Sequence, residues 1–390
     1  MNTKKRYLTQ CILEDLAEKM VFLGGPRQVG KTTLAVELIG SHIPYSYFNW
    51  DKPLERREAL LGQWPSEKKL LILDEFHKHK KWKSWIKGEY DTQKQHHQFL
   101  LTGSARLDVY RRGGDSLQGR YHYWRIHPFS VAELHGVTSP LEPGDEPSFT
   151  AATAASAFDA LLEFGGFPEP LIKQNTRHLR RWHHERSERV IKEDVRDLTL
   201  VQDIGNLSLL AHLLDDRAAG LLSINSLAED LQVNFRTMAN WIDIFERLYF
   251  CFRIASFQTR RIASVRKEKK IYLWDWSSIG NKAQRLENLV ASHLLKYVHY
   301  LTDREGWKTE LCYLRDTSGR EVDFLICCNG KPWFAVEVKS QERNISPHLL
   351  YFQERMHIPF CYQVIDERNV DFIKNNIRVM SVEKFLTAFV

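Results

Sequence analysis

The eight residues Gly25–Thr32, GPRQVGKT, constrain this 390-residue chain more than any other stretch. The apolar run VFLG (21–24) leads into them, and TLAVELIG (33–40) follows with a helix-like apolar pattern. A strand must therefore turn sharply and enter a helix. Gly25 and Gly30 let the backbone curl so that its N–H groups point inward, as an anion requires. The helix opening after Gly30 adds its positive end. Lys31 then reaches β and γ phosphates, and Thr32 offers a hydroxyl to Mg²⁺. The expected ligand is ATP with Mg²⁺, bound by Gly25, Pro26, Arg27, Gln28, Val29, Gly30, Lys31, Thr32 and Thr33. The competing reading is a glycine turn carrying a surface lysine.

The spacing matches the P-loop pattern G-x-x-x-x-G-K-[ST]. LLILD (70–74) and FLLTG (99–103) are further apolar runs that end in polar residues. Such runs suit buried parallel strands with functional groups at their C-terminal ends. Asp74 is placed to hold Mg²⁺, directly or through water, and Glu75 to orient and deprotonate the attacking water. A solvated Asp–Glu pair after a strand is the alternative. Thr102 or Ser104 can sense the γ-phosphate or position the water, although hydroxyls at strand ends also belong to ordinary turns. In GDSLQGRY (114–121), Arg120 is the candidate finger for a neighbouring subunit's γ-phosphate, with Arg106, Arg111 and Arg112 competing for that role. A structural ion pair is the other reading of Arg120.

GPRQVGKTTL, LLILDE, LLTGSA and SLQGRY followed by IHPFSVAEL together resemble the AAA+ ATPases of bacteria and archaea that carry a C-terminal domain of unknown function. GGFPEP (165–170), IYLWD and EVDF…EVK are similar to the same family. The resemblance implies an α/β architecture of four parts. These are a P-loop AAA+ core (1–137), a helical lid (150–216), a winged helix-turn-helix (217–275) and a restriction-endonuclease-like α/β domain (276–390). TSPLEPGDEPS (138–148) reads as a linker or surface insertion.

In residues 223–249, Ser226 with Glu229 suggests a capping box for a short helix, and Asn234 a cap for a second one. Met238, Trp241, Ile242, Phe245 and Leu248 recur at helical spacing and form its buried face. Phe235, Arg236, Thr237 and Asn240 are left at the N-terminal end, where recognition helices touch DNA. The next segment predicts a hairpin whose Arg260, Arg261, Arg266, Lys267, Lys269 and Lys270 form a basic wing for phosphates. A winged helix used for packing or subunit contact is the alternative. FHKHKKWKSWIK (76–87) interleaves lysines with Trp82 and Trp85. It reads equally as a platform for unpaired nucleic acid and as an amphipathic helix with core tryptophans.

REVDFLICCNGKPWFAVEVKS (320–340) predicts a hairpin. With Asn329, Gly330 and Lys331 as its loop, Asp323 faces Glu337 and Glu321 faces Lys339 on one side of the sheet. Two such carboxylates can share a divalent cation, with Lys339 beside them and Glu287 completing the set. The pattern resembles the PD-(D/E)-x-K nuclease site, with Val322 in place of the usual proline and Gln353 echoing a helical glutamine. Ordinary cross-strand ion pairs are the alternative, and folds of this type also serve as DNA-binding or assembly domains.

Composition is that of a globular chain, 43% hydrophobic and 27% charged, with a net charge of +6 that points to nucleic acid only where it clusters. The six cysteines form no C-x-x-C pair, which fits a reducing compartment. No run approaches the ~20 apolar residues of a membrane span, and the N-terminus does not read as a signal peptide. A cytoplasmic protein without a membrane partner is expected. The leading expectation is an ATP-hydrolysing homo-oligomer, with ATP between subunits, that binds and remodels forked or branched DNA. An ATP-gated, Mg²⁺-dependent nuclease and a nucleotide switch for protein assembly are the alternatives.

Overall fold

A computed structural model describes residues 5–103, 117–136, 142–150, 154–195, 203–258, 268–341 and 343–390. Ser104, Arg106, Arg111, Arg112, Arg260, Arg261, Arg266 and Lys267 lie outside the described residues. The chain divides into two compact units, Met1–Pro128 and Phe129–Val390.

Among the described residues, the first unit is built on five strands: β1 (Met20–Gly24), β2 (Tyr45–Asn49), β3 (Leu70–Asp74), β4 (Gln98–Gly103) and β5 (Tyr121–Arg125). They run parallel in the order β2-β3-β4-β1-β5. Every residue of β1 and β3 is buried, as expected of apolar runs in the middle of a covered parallel sheet. The chain leaves β1 toward β2 on one side, and β5 lies on the other. The C-terminal end of β1 is therefore a topological switch point, where open α/β sheets bind ligands.

The helix Trp82–Gln93 decides between the two readings of the lysine–tryptophan segment. Trp82, Ile86 and Tyr90 recur every four residues and are buried against Phe22, Phe76, Phe99 and Leu101. Trp85 stacks on Phe76 with ring centroids 5.4 Å apart. Burial of a large apolar side chain stabilises by about 1.5–3 kcal/mol, so Trp82 is core and half-buried Trp85 packs against the same cluster, which favours the amphipathic-helix reading.

Among the described residues, the second unit combines helices with one eight-stranded sheet. Its strands are β6 (Cys251–Ser256), β7 (Lys269–Leu273), β8 (Thr309–Arg315), β9 (Glu321–Cys328), β10 (Lys331–Lys339), β11 (Phe360–Ile365), β12 (Asp371–Lys374) and β13 (Ile377–Ser381). The order is β12-β13-β11-β10-β9-β8-β6-β7. β6 pairs with β8 in parallel, so the strands flanking the expected wing share one sheet with the C-terminal strands. The short helix Val131–His135 also packs within this unit. Val131 N–H donates to His293 Nε2 at 3.0 Å, and buried Lys296 pairs with Ser130 and Glu133. The expected core boundary at 137 and the boundary at 275–276 are therefore both crossed by contacts of the second unit.

Ser223, not Ser226, caps the Ile224–Asp230 helix: its side chain accepts from the backbone of Ser226. Asn234 caps Phe235–Arg247 through Thr237 N–H at 2.8 Å. The β9–β10 turn has two residues rather than three. Asn329 (φ 51°) and Gly330 (φ 74°) are both left-handed, as a type I′ turn demands, and Lys331 already pairs with Cys328. An irregularity between Pro332 and Phe334 then shifts the register by one, and the ladder ends at Val336 opposite Phe324. Glu337 and Asp323 follow on the two strands, so the bulge restores the juxtaposition that a three-residue loop would have given.

Candidate functional site: a phosphate loop and two carboxylate clusters

Gly25 (φ 154°) and Gly30 (φ 94°) bend the loop after β1. A Cβ at Gly25 would lie 2.6 Å from the Ile126 carbonyl oxygen, so this position has room only for glycine. Gln28 adopts φ 62° without being glycine, a strained conformation of the kind found at ligand sites. Lys31 is buried, and its Nζ donates to the carbonyls of Gly25 (3.0 Å) and Pro26 (2.8 Å), which holds the ammonium within the loop's curl.

β3, β4 and β1 are neighbours, and in register Asp74 lies beside Thr102, which lies beside Leu23. Buried Asp74 accepts from three hydroxyls. Thr32 and Tyr47 reach Oδ2 at 3.0 and 2.8 Å, and Thr102 reaches Oδ1. Asn49 in turn donates to the Tyr47 hydroxyl at 3.2 Å. The motif reading found Thr32, Asp74 and Thr102. It missed Tyr47, whose only sequence signal is its place, two residues before the end of the strand-like run YSYFN. Glu75 follows with φ 60° and donates its N–H to Thr102 O at 3.0 Å. Its Oε2 lies 3.6 Å from both His77 Nε2 and Lys78 Nζ. Burial pushes the Glu75 pKa up, and Lys31 and Lys78 oppose that rise. A Mg²⁺–nucleoside triphosphate fits this donor set: a curled loop, a buried ammonium, and a carboxylate already tied to the hydroxyl that would share the metal.

Arg120 makes a two-point contact with Asp91, at 2.8 and 3.1 Å, within the first unit. In the second unit, Phe235 is 56% exposed, Arg236 and Asn240 are exposed, and Thr237 is half-buried, while Met238, Trp241, Ile242, Phe245 and Leu248 are buried.

Lys270 is not a surface base of a wing. It is 3% exposed, and its Nζ lies 2.7 Å from Glu321, 3.1 Å from Glu287 and 3.3 Å from Asp323. Tyr272 donates to Glu287 at 2.9 Å, Arg315 pairs with Glu321 at 2.6 Å, and Val338 N–H donates to Asp323 at 2.9 Å. Glu337 pairs with Lys339 at 2.8 Å. Burial, helped by the charge of Asp323, raises Glu287 to about 8 and Glu337 to about 7. Gln353 donates to the Asn376 carbonyl. Among the described residues no three His, Cys, Asp or Glu side chains are arranged to hold a metal ion. Asp323 thus lies near both Glu287 and Glu337, but the Lys270 ammonium sits among Glu287, Glu321 and Asp323, and that arrangement does not fit a divalent cation.

Residues 17–135 match a family model described as an AAA domain. Two models described as domains of unknown function match residues 155–289 and 282–385. An uncharacterized protein of Methanocaldococcus jannaschii is 23% identical over 353 residues, covering 84% of this chain and 77% of that one. Among solved structures, a Walker-type ATPase of Pyrococcus abyssi aligns at 13% identity with a TM-score of 0.41, covering 71% of this chain and 94% of that one. A RuvB variant of Thermotoga maritima aligns at 20% identity with a TM-score of 0.31, covering 63% and 87%. The segment that matches the AAA-domain model is the one that carries the phosphate loop, Asp74 and Glu75. No described helix is long and apolar enough to cross a membrane.

Proposed function

We propose that this chain hydrolyses ATP and uses the cycle to bind and remodel DNA, forked or branched, as a homo-oligomer. The observation that carries the ATPase part is the convergence of Lys31, Thr32, Asp74 and Thr102 at the ends of three adjacent strands. Lys31 exchanges its loop carbonyls for phosphate oxygens and balances their charge. Thr32 and Asp74 would hold Mg²⁺, which would supply neutralisation of phosphate charge. Glu75 accepts the proton of the attacking water. Burial raises its pKa, the direction that strengthens a general base. Thr102 keeps the Asp74 carboxylate oriented. Arg120 turns from Asp91 to a neighbouring subunit's nucleotide.

The DNA part is supported by the capped, partly exposed N-terminal end of the Phe235–Arg247 helix, with Arg236, Thr237 and Asn240, and by the basic run with Arg260, Arg261, Arg266 and Lys267 in the sequence. The test is the ATPase rate with single-stranded, duplex, forked and four-way DNA, each scanned across salt. Stimulation that depends on DNA shape and weakens with salt is expected. Turnover indifferent to every DNA would leave the nucleotide-switch reading in its place.

A further inference from the structure

We propose that the ε-ammonium of Lys270 is the resident cation of the carboxylate cluster made by Glu287, Glu321 and Asp323, and that a divalent cation enters only by displacing it. Three carboxylates from one helix and β9 converge on a single nitrogen at 2.7–3.3 Å. These are ammonium-to-carboxylate distances; Ca²⁺ draws oxygens to roughly 2.3–2.6 Å and Mg²⁺ closer still. The lysine is held from both sides. β7 pairs Lys270 with Ile254 of β6, and Leu221 bridges to it on the other edge. Withdrawal by strand slippage would break both pairings, so only rotation of a buried side chain can vacate the position.

Glu321 and Asp323 each have their second oxygen engaged as well. Tyr272 donates to the same Glu287 oxygen as Lys270, Arg315 takes the second oxygen of Glu321, and Val338 N–H takes the second oxygen of Asp323. Two cationic side chains against three carboxylates leave little excess charge to draw in a metal. The three carboxylates therefore come together around a charge supplied by the chain, and their assembly does not wait on metal supply. The desolvation of Lys270 is compensated only while its carboxylate partners stay close. This inference uses neither the nucleotide site nor DNA, so the motor reading can fail without touching it.

The test is Mn²⁺ binding to the full chain without nucleotide, followed by titration calorimetry and by the melting temperature. Lys270→Met is expected to gain a site at least tenfold tighter than any in the unaltered chain, and adding Asp323→Asn to that variant is expected to abolish it. Mn²⁺ should raise the melting temperature of Lys270→Met and leave that of the parent unchanged. Removing the lysine strands buried carboxylates, so Lys270→Gln serves as the milder variant and is expected to show the same gain. A gain below tenfold in both variants, or a gain that survives Asp323→Asn, overturns the proposal.

Discussion

Asp74 shows how one side chain depends on four others. Thr32 and Tyr47 share its Oδ2, Thr102 takes Oδ1, and Asn49 orients Tyr47. Tyr47→Phe removes one of three donors without changing shape. The magnesium requirement for hydrolysis is expected to rise by about tenfold or more, with kcat at saturating Mg²⁺ within about threefold, since a hydrogen bond to a charged group contributes about 1.5–3 kcal/mol. A purely structural role would instead lower the melting temperature and leave the magnesium titration in place. Lys31→Ala should reduce turnover by at least about a hundredfold, the scale of removing a preorganised charge at a transition state. Glu75→Gln should still bind ATP while hydrolysis falls comparably, because the amide cannot take a proton. Equilibrium nucleotide binding beside the rate separates these two variants.

At the scale of elements, the helix caps are the most local statements the chain makes. Asn234→Ala should lower the unfolding free energy by about 1 kcal/mol, measured in urea, because Thr237 N–H loses its acceptor. The contact between Val131–His135 and Lys282–Glu305 is less local. His293 is buried, accepts from Val131 N–H and is held neutral: burial lowers its pKa from 6.5 to about 3, Lys296 adds to that, and Glu133 and the Leu289 carbonyl oppose it. Above pH 6.5 the folded and unfolded forms carry the same proton count at this residue. Between pH 6.5 and about 3 only the unfolded form takes up the proton, so stability falls with acid at up to about 1.4 kcal/mol per pH unit. His293→Gln should flatten the loss seen between pH 7 and pH 5 in urea unfolding; an unchanged pH dependence would rule His293 out as its source.

At the scale of the molecule, the two units hold chemistry of different kinds. The first gathers its polar groups at the open end of a parallel sheet, where a ligand can approach. The second buries its polar groups in pairs: Lys296 with Glu133, and Lys270 with Glu287, Glu321 and Asp323. Buried pairs of this type add little net stability, yet breaking one partner costs about 3–5 kcal/mol. A Lys296→Met variant is accordingly expected to lose several kcal/mol of unfolding free energy, while Lys296→Met with Glu133→Leu recovers most of it. Equal losses for the single and double variants would mean the pair is not the unit that matters.

The phosphate loop was legible from the sequence because every requirement is local: two glycines, a lysine and a hydroxyl within eight residues, between a strand and a helix. The same holds for the Asn234 cap, whose partner is three residues away, and for the buried face of the helix it starts. Tyr47 escaped because its partner lies on another strand, and register across a sheet is set by tertiary packing. Lys270 was misread for the same reason. In sequence it stands among other basic residues, whereas in the fold its strand turns it inward onto carboxylates 17, 51 and 53 residues away. A charge run specifies composition, and only the sheet decides which of its members meets solvent and which meets a buried acid.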